Sequence, residues 1–174
     1  LNDKGLHGMS LNQLAKSLDY VPAALYRYFS SWEELLFNLQ IVVLKKARLD
    51  LTDVIGATVD GGQERVSQES VLCHVFELSR WCCQFSKNAP NEFGLLSQMI
   101  ADPKHLLSEQ YFAASSYEVL LFVEHFADAF QKGVEIDTFV MEDSKLSAFI
   151  FIVSTFGVLQ SRKLTRYLVN VQFF

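Results

Sequence analysis

Apolar residues follow a helical spacing along nearly the whole of this 174-residue chain, and this pattern constrains the fold more than any other feature. They recur at intervals of three and four residues, and no segment shows the strict alternation that is typical of a half-buried strand. Hydrophobic residues make up 50% of the chain and include 15 phenylalanines, which is enough for a sizeable core. The sequence therefore predicts an all-α fold, without internal repeats or low-complexity tracts.

Capping residues indicate where the N-terminal helices begin. Ser10, with Gln13 three residues later, forms a capping-box pattern that predicts a short helix. Pro22 occupies the first turn of a second short helix, and Ser31 caps a long helix that continues to residue 52 or beyond. Two short helices separated by a tight turn predict a helix-turn-helix shape, which many helical bundles share.

The remaining helices are delimited by glycines, prolines and acidic first turns. A loop is expected at 58–65, where two glycines interrupt the helical pattern. Gly133 follows a lysine and is predicted to be the C-cap of the third body helix. The expected body helices cover about 64–88, 90–101, 102–132 and 142–163, and the fold of the segment 167–174 is left open.

The second short helix carries an unusual outward face. Leu25 and Phe29, four positions apart, are expected to point inward to the first helix. The opposite side is small at its N-terminal end and carries Tyr26 and Arg27 towards its C-terminal end, with Tyr28 at the exit. Small residues let a helix end enter a major groove of DNA, where tyrosine hydroxyls and arginine can reach phosphates or base edges. For Tyr28, packing against the long helix is the alternative.

The same residues carry a resemblance to a known family. The string LNDKG…SLNQLAKSLDYVPAALYRYFSSWEELL resembles the DNA-binding head of the tetracycline-repressor (TetR) family of transcriptional regulators. The matching features are Gly5 in a turn, Ser10, Leu14-Ala15, the run Leu25-Tyr26-Arg27-Tyr28-Phe29, Ser31, Glu33 and Leu35-Leu36. The detailed match covers about 36 residues, and the rest of the chain agrees only in length, helicity and hydrophobicity.

This resemblance implies a homodimer in which each third head helix enters a major groove of double-stranded operator DNA. A three-helix head with a truncated first helix would span 1–38, and a long helix would join it to an effector-binding and dimerisation bundle at 39–174. It also implies a cytoplasmic repressor that a small, largely hydrophobic effector releases from its operator. By position, the DNA-contacting residues would be Ser10, Asn12, Pro22, Ala23, Ala24, Tyr26, Arg27, Tyr28 and Trp32.

Three positions in the head depart from the family pattern. Asp19 stands where the turn usually has glycine, although aspartate accepts a left-handed conformation better than most residues. Val21 replaces the usual Ser or Thr cap, and Trp32 replaces a phosphate-binding lysine, which leaves one indole N–H as a donor. These departures motivate an alternative function, an all-α dimeric ligand-binding protein whose head no longer binds DNA.

The segment 64–132 is rich in aromatic residues, and the resemblance implies that it encloses a small-molecule cavity. A mostly apolar pocket with a few polar anchors would suit a hydrophobic or amphipathic effector. Aromatic residues at helical spacing also form ordinary cores, so both interpretations stay open. The candidate effector-binding residues are His74, Phe76, Trp81, Phe85, Met99, Tyr111, Tyr117 and Phe122, of which His74, Tyr111 and Tyr117 could be polar anchors.

The last long helix is apolar around much of its circumference. One face carries Leu146, Phe149, Ile150, Val153 and Phe156, and another carries Phe151, Ile152, Val158 and Leu159. One face can be buried in the subunit's own core, whereas the second requires a partner. We therefore expect a homodimer formed through the last two long helices. The apolar run 146–159 is shorter than a membrane span of ~20 residues, so no membrane contact is expected.

Charge and motif content argue against several other functions. The net charge of −5 argues against a generic polyanion binder, although residues 1–50 are close to neutral. Cys73, Cys82 and Cys83 are too few and too oddly placed for a disulfide framework, and no neighbouring His or Cys completes a metal site. They are expected to be buried in a reducing compartment, and a redox or metal sensor is the alternative. The four histidines are scattered, and no phosphate loop, HExxH or GxSxG motif occurs, so no enzyme, cofactor or metal is expected.

Overall fold

The computed structural model describes residues 9–59, 66–101 and 109–168, and every regular element within these ranges is an α-helix. The helices are α1 (Leu11–Ser17), α2 (Pro22–Tyr26), α3 (Trp32–Val59), α4 (Gln68–Asn88), α5 (Pro90–Ala101), α6 (Glu109–Glu135) and α7 (Ser144–Leu168). The all-α prediction is confirmed, with short helices first and long helices in the body. Gly5, most of the loop expected at 58–65, the expected helix start at 102 and residues 169–174 lie outside the described residues.

Local capping builds the head as the sequence predicts. At the start of α1, the Ser10 hydroxyl accepts a hydrogen bond from the Gln13 amide (3.3 Å), and the Gln13 side chain accepts one from the Ser10 amide (2.9 Å). Asp19, between α1 and α2, has a left-handed conformation with a φ of 57°. Pro22 begins α2, and Val21 before it provides no side-chain cap. The turn therefore holds an aspartate in a conformation that favours glycine.

The long helix α3 joins the head to the body. Ser31 caps it by accepting a hydrogen bond from the Glu34 amide (3.0 Å), and the Glu34 carboxylate accepts from the Ser30 amide (2.7 Å) and hydroxyl (2.5 Å). With 28 residues, the helix is about 42 Å long. Its buried stripe consists of Leu36, Gln40, Val43, Leu44, Ala47 and Leu51. The helix thus leads from the head into the core of the body without a break.

Helices α3 to α7 pack around one core. α6 packs against α3, α4 and α7, and α5 packs against α3, α4 and α7. The centre is aromatic, since Trp81 stacks on Phe85 with ring centroids 4.9 Å apart and Phe93 lies 4.8 Å from Phe156. Phe126 and Phe156 are among the largest fully buried side chains. Much of the aromatic content of the body therefore serves its core.

The start of α4 differs from the prediction. The helix begins at Gln68 rather than near residue 64, because Ser67 and Ser70 form a reciprocal capping box immediately before and within its first turn. The next helix, α5, begins at Pro90 as predicted. The capping box of Ser67 and Ser70 therefore fixes the N-terminus of α4.

The end of α6 also corrects the prediction. Gly133 does not cap the helix, which continues to Glu135. Asp137 takes the left-handed position with a φ of 55°, and its amide and that of Thr138 donate to carbonyls of the last turn in a Schellman motif. Gly133 serves a close contact instead, because a Cβ there would overlap the ring of Phe139.

The helix α7 has a buried and an open face. It begins at Ser144, two residues after the expected start at 142, because the Asp143 carboxylate caps it, and it continues past the expected end near 163. The buried residues are Ala148, Ile152, Phe156 and Leu159, and the exposed apolar residues are Leu146, Phe149, Ile150, Val153 and Val158. Two faces exist as predicted, but Phe156 and Val158 were assigned to the wrong ones, because Phe156 lies only about 40° from Ile152 around the helix.

The window Ser144–Ser161 of α7 is long and apolar enough to cross a membrane, and 22% of it is buried. Because α7 extends beyond the apolar run 146–159 at both ends, the length of that run does not exclude a membrane span, contrary to the prediction. A helix that packs against another subunit has the same length and composition. One such helix among the described residues is weak evidence for a membrane.

The three cysteines are free thiols. Cys82 is buried in the core, and this burial raises the pKa of its thiol to about 12. Cys83 is half-buried, but Cys73 is exposed, so the prediction of three buried cysteines is wrong for Cys73. Cys73 lies two positions from the buried Val71 and hence nearly on the opposite side of α4.

Candidate functional site

The outer face of the head is open to solvent. Tyr26 in α2 and Tyr28 after it are 49% and 73% exposed, and Ala23 and Arg27 are exposed as well. Asn12 on α1 is also exposed. Because most of the Tyr28 surface is in solvent, packing against the long helix does not account for this residue. Five of the nine predicted DNA-contacting residues are therefore accessible.

The other four predicted DNA contacts are partly buried. Ser10 is engaged in the cap of α1, and Pro22 and Ala24 are half-buried in α2. Trp32 is also half-buried, and its side chain packs against the main core of the body. The indole therefore contributes to the junction between head and body, a role that the sequence pattern alone did not indicate.

The eight predicted effector-binding residues do not surround one cavity. Trp81, Phe85 and Phe122 are buried in the aromatic core, where the rings of Trp81 and Phe122 have centroids 6.0 Å apart. Phe76 on α4 and Tyr117 on α6 are 67% and 65% exposed. These five residues divide between core and surface, as the alternative interpretation of aromatic spacing allows.

The remaining three predicted residues occupy three different places. The Tyr111 ring lies 5.0 Å from that of Phe37 on α3, and His74 is half-buried where α4 faces α6. Met99 lines a sizeable cavity, and together with Phe122 it borders a small neighbouring cavity of about 20 Å³. Met99 is therefore the one member of the predicted set that the structure places on the larger cavity.

Two histidines lie on the facing helices α4 and α6. Burial lowers the pKa of His74, and the charge of Lys132 lowers it further, whereas Asp128 acts in the opposite sense. Burial also lowers the pKa of His125, and Arg48 adds to this effect. Both imidazoles therefore resist protonation. Within the described part of the chain, His, Cys, Asp and Glu side chains form no group of three or more that could hold a metal ion.

A cavity of about 440 Å³ lies between α3, α5, α6 and α7. This volume is within the range of small-molecule sites, which are usually concave and mostly apolar. Its walls are mainly aliphatic and aromatic and include Met99, Ile100, Val119, Val123, Leu146 and Phe149. The body therefore contains a cavity of the predicted kind, built largely from residues other than the predicted ones.

Gln40 is a buried polar cavity residue that the sequence interpretation missed, and Ser115 and Ser116 are the other uncharged polar residues on the described wall. Gln40 is 0% exposed and lines the cavity, and neither of its amide atoms has a hydrogen-bond partner among the residues that the structure describes. Its signal in the sequence is a polar residue at an apolar position, because it lies four residues from both Leu36 and Leu44 on the buried stripe of α3.

Two charged residues stand at the edge of the same cavity. The Nζ atom of Lys145 on α7 lies 3.2 Å from Oε1 of Glu124 on α6. The Lys145 side chain is 65% exposed and the Glu124 side chain 44%, so the pair marks the solvent side of the cavity. The two charges compensate each other at this entrance.

The geometry defines the class of the protein: an all-α chain with a helix-turn-helix head and a helical body that contains a small-molecule-sized cavity. Residues 1–39 match the profile of a family described as bacterial regulatory proteins, tetR family. The head therefore matches that of TetR-family regulators, and the resemblance seen in the sequence is confirmed. A comparison with curated proteins found no match.

Solved structures of TetR-family regulators have a similar fold. The transcriptional regulator PfmR from Thermus thermophilus matches with a TM-score of 0.63 and 22% identity over 91% of this chain and 79% of that one. A TetR/AcrR family regulator from Thermobifida fusca matches with a TM-score of 0.57 and 16% identity over 91% of this chain and 76% of that one. A Clostridium perfringens protein described as a candidate fatty acid metabolism regulator matches with a TM-score of 0.56 and 18% identity over 99% of this chain and 83% of that one.

Proposed function

We propose that this protein is a ligand-responsive transcriptional repressor, which binds operator DNA through its head and releases it when a small, largely hydrophobic effector occupies the body. The observation that carries the proposal is the solvent-open face formed by Tyr26, Arg27 and Tyr28 in a head that matches the tetR family. The small Ala23 on the same helix allows its N-terminal end to approach a major groove.

We assign DNA binding to residues 1–38 and effector binding and dimerisation to residues 39–174. α3 crosses this boundary as one helix of 28 residues, and Gln40 on its buried side lines the cavity. A ligand that favours one position of this helix would therefore bias the position of the head, which is the differential interaction that ligand control requires.

The proposed homodimer forms through α6 and α7. Tyr117 and Leu120 on α6 and Ile150 and Val153 on α7 are exposed apolar residues in the single chain. Two helices from each subunit would cover them in a four-helix interface, which accounts for the small buried fraction of α7 without a membrane. Action on operator DNA places the protein in the cytoplasm.

The DNA-binding proposal is tested with the full chain and the promoter DNA next to its own gene. Tyr26→Ala and Arg27→Ala are each expected to weaken binding about tenfold, because they remove contacts to base edges or phosphates. Arg27→Ala should also reduce the slope of log affinity against log salt by about 1. Fluorescence anisotropy over a salt series measures both quantities.

Lys87→Ala is the matched control for Arg27→Ala, because it removes one exposed cation from the end of α4, away from the head. It should leave the affinity and the salt slope nearly unchanged. Full affinity in both head variants would show that the assigned DNA contacts are wrong.

The alternative function, a dimeric ligand-binding protein whose head does not bind DNA, has one specific observation in its favour. Trp32 packs against the body core at the position where the family usually presents a phosphate-binding lysine. The two functions differ in their response to salt, because phosphate contacts release counterions and make affinity fall steeply as salt rises. No binding of promoter DNA by the full-length protein at low salt would favour the alternative.

A further inference from the structure

Gln40 is a buried amide with unused hydrogen-bonding capacity. Its side chain is 0% exposed, and its Oε1 and Nε2 atoms have no partner within the described chain, although the residue forms part of the cavity wall. An unpaired amide in apolar surroundings costs free energy, and an apolar residue at this position of α3 would avoid that cost. A group that enters the cavity and pairs with the amide would explain its presence.

The other residues of the cavity wall indicate the chemical nature of the rest of the ligand. The space of about 440 Å³ is surrounded by Val119 and Val123 from α6, Met99 and Ile100 from α5 and Phe149 from α7. Ser115 and Ser116 from α6 also line it, but both already interact with other groups of the protein. Apolar walls of this extent favour an apolar ligand body, because burial of apolar surface is the main favourable term in such a site. The ligand is therefore mainly hydrocarbon, with a polar group directed to α3.

The charges around the cavity favour a neutral ligand. Lys145 and Glu124 already pair with each other at 3.2 Å. Both side chains are partly exposed, so the pair contributes little, and among the described wall residues it leaves no unpaired charge that would select an ionised ligand. Gln40 itself carries no charge and offers both donors and an acceptor.

We infer that the cavity binds a neutral, mainly apolar molecule whose amide, or another group that both donates and accepts hydrogen bonds, pairs with Gln40. This inference rests on the proposed effector-binding role of the body and names the chemical class of the effector. It does not depend on DNA binding by the head. Leu120 and Leu146 at the cavity also belong to the exposed apolar surface, so the test is made on the assembled full-length protein.

The first experiment measures displacement of the neutral fluorescent dye Nile red by octanamide and by octanoate. The two probes have the same chain length, and octanoate is ionised at about pH 8, since unperturbed carboxyl groups titrate near 4. Octanamide is expected to displace the dye at a concentration at least tenfold lower than octanoate. Equal displacement by the two probes, displacement by octanoate alone, or none by either would overturn the inference.

The second experiment repeats the displacement with Gln40→Met, which keeps the length of the side chain and removes its hydrogen bonds. Octanamide is expected to bind about tenfold more weakly, while Nile red binding is unchanged. Gln98→Met, on the exposed side of α5, is the matched control and should behave like the unmodified protein. An unchanged octanamide response in Gln40→Met would overturn the role of Gln40. Should that variant fail to fold, Gln40→Leu provides the same comparison.

The result of the octanamide experiments can be distinguished from the result of the DNA-binding experiment. A protein that fails to bind promoter DNA but keeps the Gln40-dependent preference for octanamide supports this inference together with the alternative function. A protein that binds promoter DNA and shows no such preference keeps the DNA-binding function and loses this inference.

Discussion

At the scale of single residues, two neighbouring serines act on the first turn of α3. Ser31 caps the helix, and Ser30 lowers the pKa of Glu34. Hydrogen bonds from the hydroxyl and the backbone amide of Ser30 lower the pKa of Glu34 below its ordinary value of 4.5. Because the folded pKa is below the unfolded one, this stabilising contribution is present above about pH 4.5 and is lost as the pH falls through the folded value.

Ser30→Ala should raise the pKa of Glu34 towards its ordinary value, because the hydroxyl hydrogen bond is the largest cause of the shift. A titration followed by NMR of the side-chain carboxyl carbon measures the change. Ser154→Ala, at an exposed position of α7, is the control and should leave the Glu34 titration unaltered. A Glu34 pKa that is the same in Ser30→Ala and the unmodified protein would contradict this account.

At the scale of elements, glycines with the same helical setting have different roles. Gly133 lies within α6 where a Cβ would overlap the Phe139 ring, whereas Gly94 in α5 has no heavy atom within 4 Å of the position its Cβ would take. The first glycine permits the chain after α6 to fold back onto the helix. The second only weakens the helix that contains it.

Gly133→Ala is expected to destabilise the protein by about 1–3 kcal/mol, because the added methyl group displaces the Phe139 ring. Gly94→Ala is the matched control and should stabilise it by up to about 1 kcal/mol through helix propensity. Urea unfolding monitored by circular dichroism gives both free energies. Equal effects of the two substitutions would refute the close contact at Gly133.

The contact between α4 and α6 predicts a dependence of stability on pH. His74 and His125 have pKa values lowered mainly by burial, so the unfolded chain binds protons that the folded chain does not. Stability should therefore fall as the pH decreases from about 6.5 towards the lowered folded values. Urea unfolding at about pH 7.5 and pH 5.5 should show a smaller loss in the double variant His74→Gln, His125→Gln. An equal loss in that variant would assign the pH dependence to other groups.

At the scale of the whole molecule, the open face of α7 predicts the oligomeric state. Ile150→Glu should raise the dissociation constant of the dimer at least about 100-fold, since a charge would be buried against an apolar partner surface. Leu72→Glu on α4 is the control, because Leu72 is 53% exposed and Ile150 is 55% exposed. Sedimentation velocity distinguishes the two variants. A dimer that tolerates Ile150→Glu but not Leu72→Glu would place the interface on α4.

Local patterns determined the fold class, the caps of α1 and α3 and the position of the head. The hydrogen bonds of Ser10 and of Ser31 join residues three positions apart, so they can be read directly from the sequence. The assignment of aromatic residues could not be read in this way. Trp81 and Phe76 belong to one helix, yet one is in the core and the other is 67% exposed.

The sequence by itself therefore determined an all-α protein with a TetR-like head, because periodicity and capping act over a few residues along one helix. Only the tertiary structure decided that Gly133 makes room for Phe139 and that Gln40 faces a cavity. The physical reason is that the cavity wall joins α3 to α7, and side chains that are distant along the chain become neighbours only when the helices pack together.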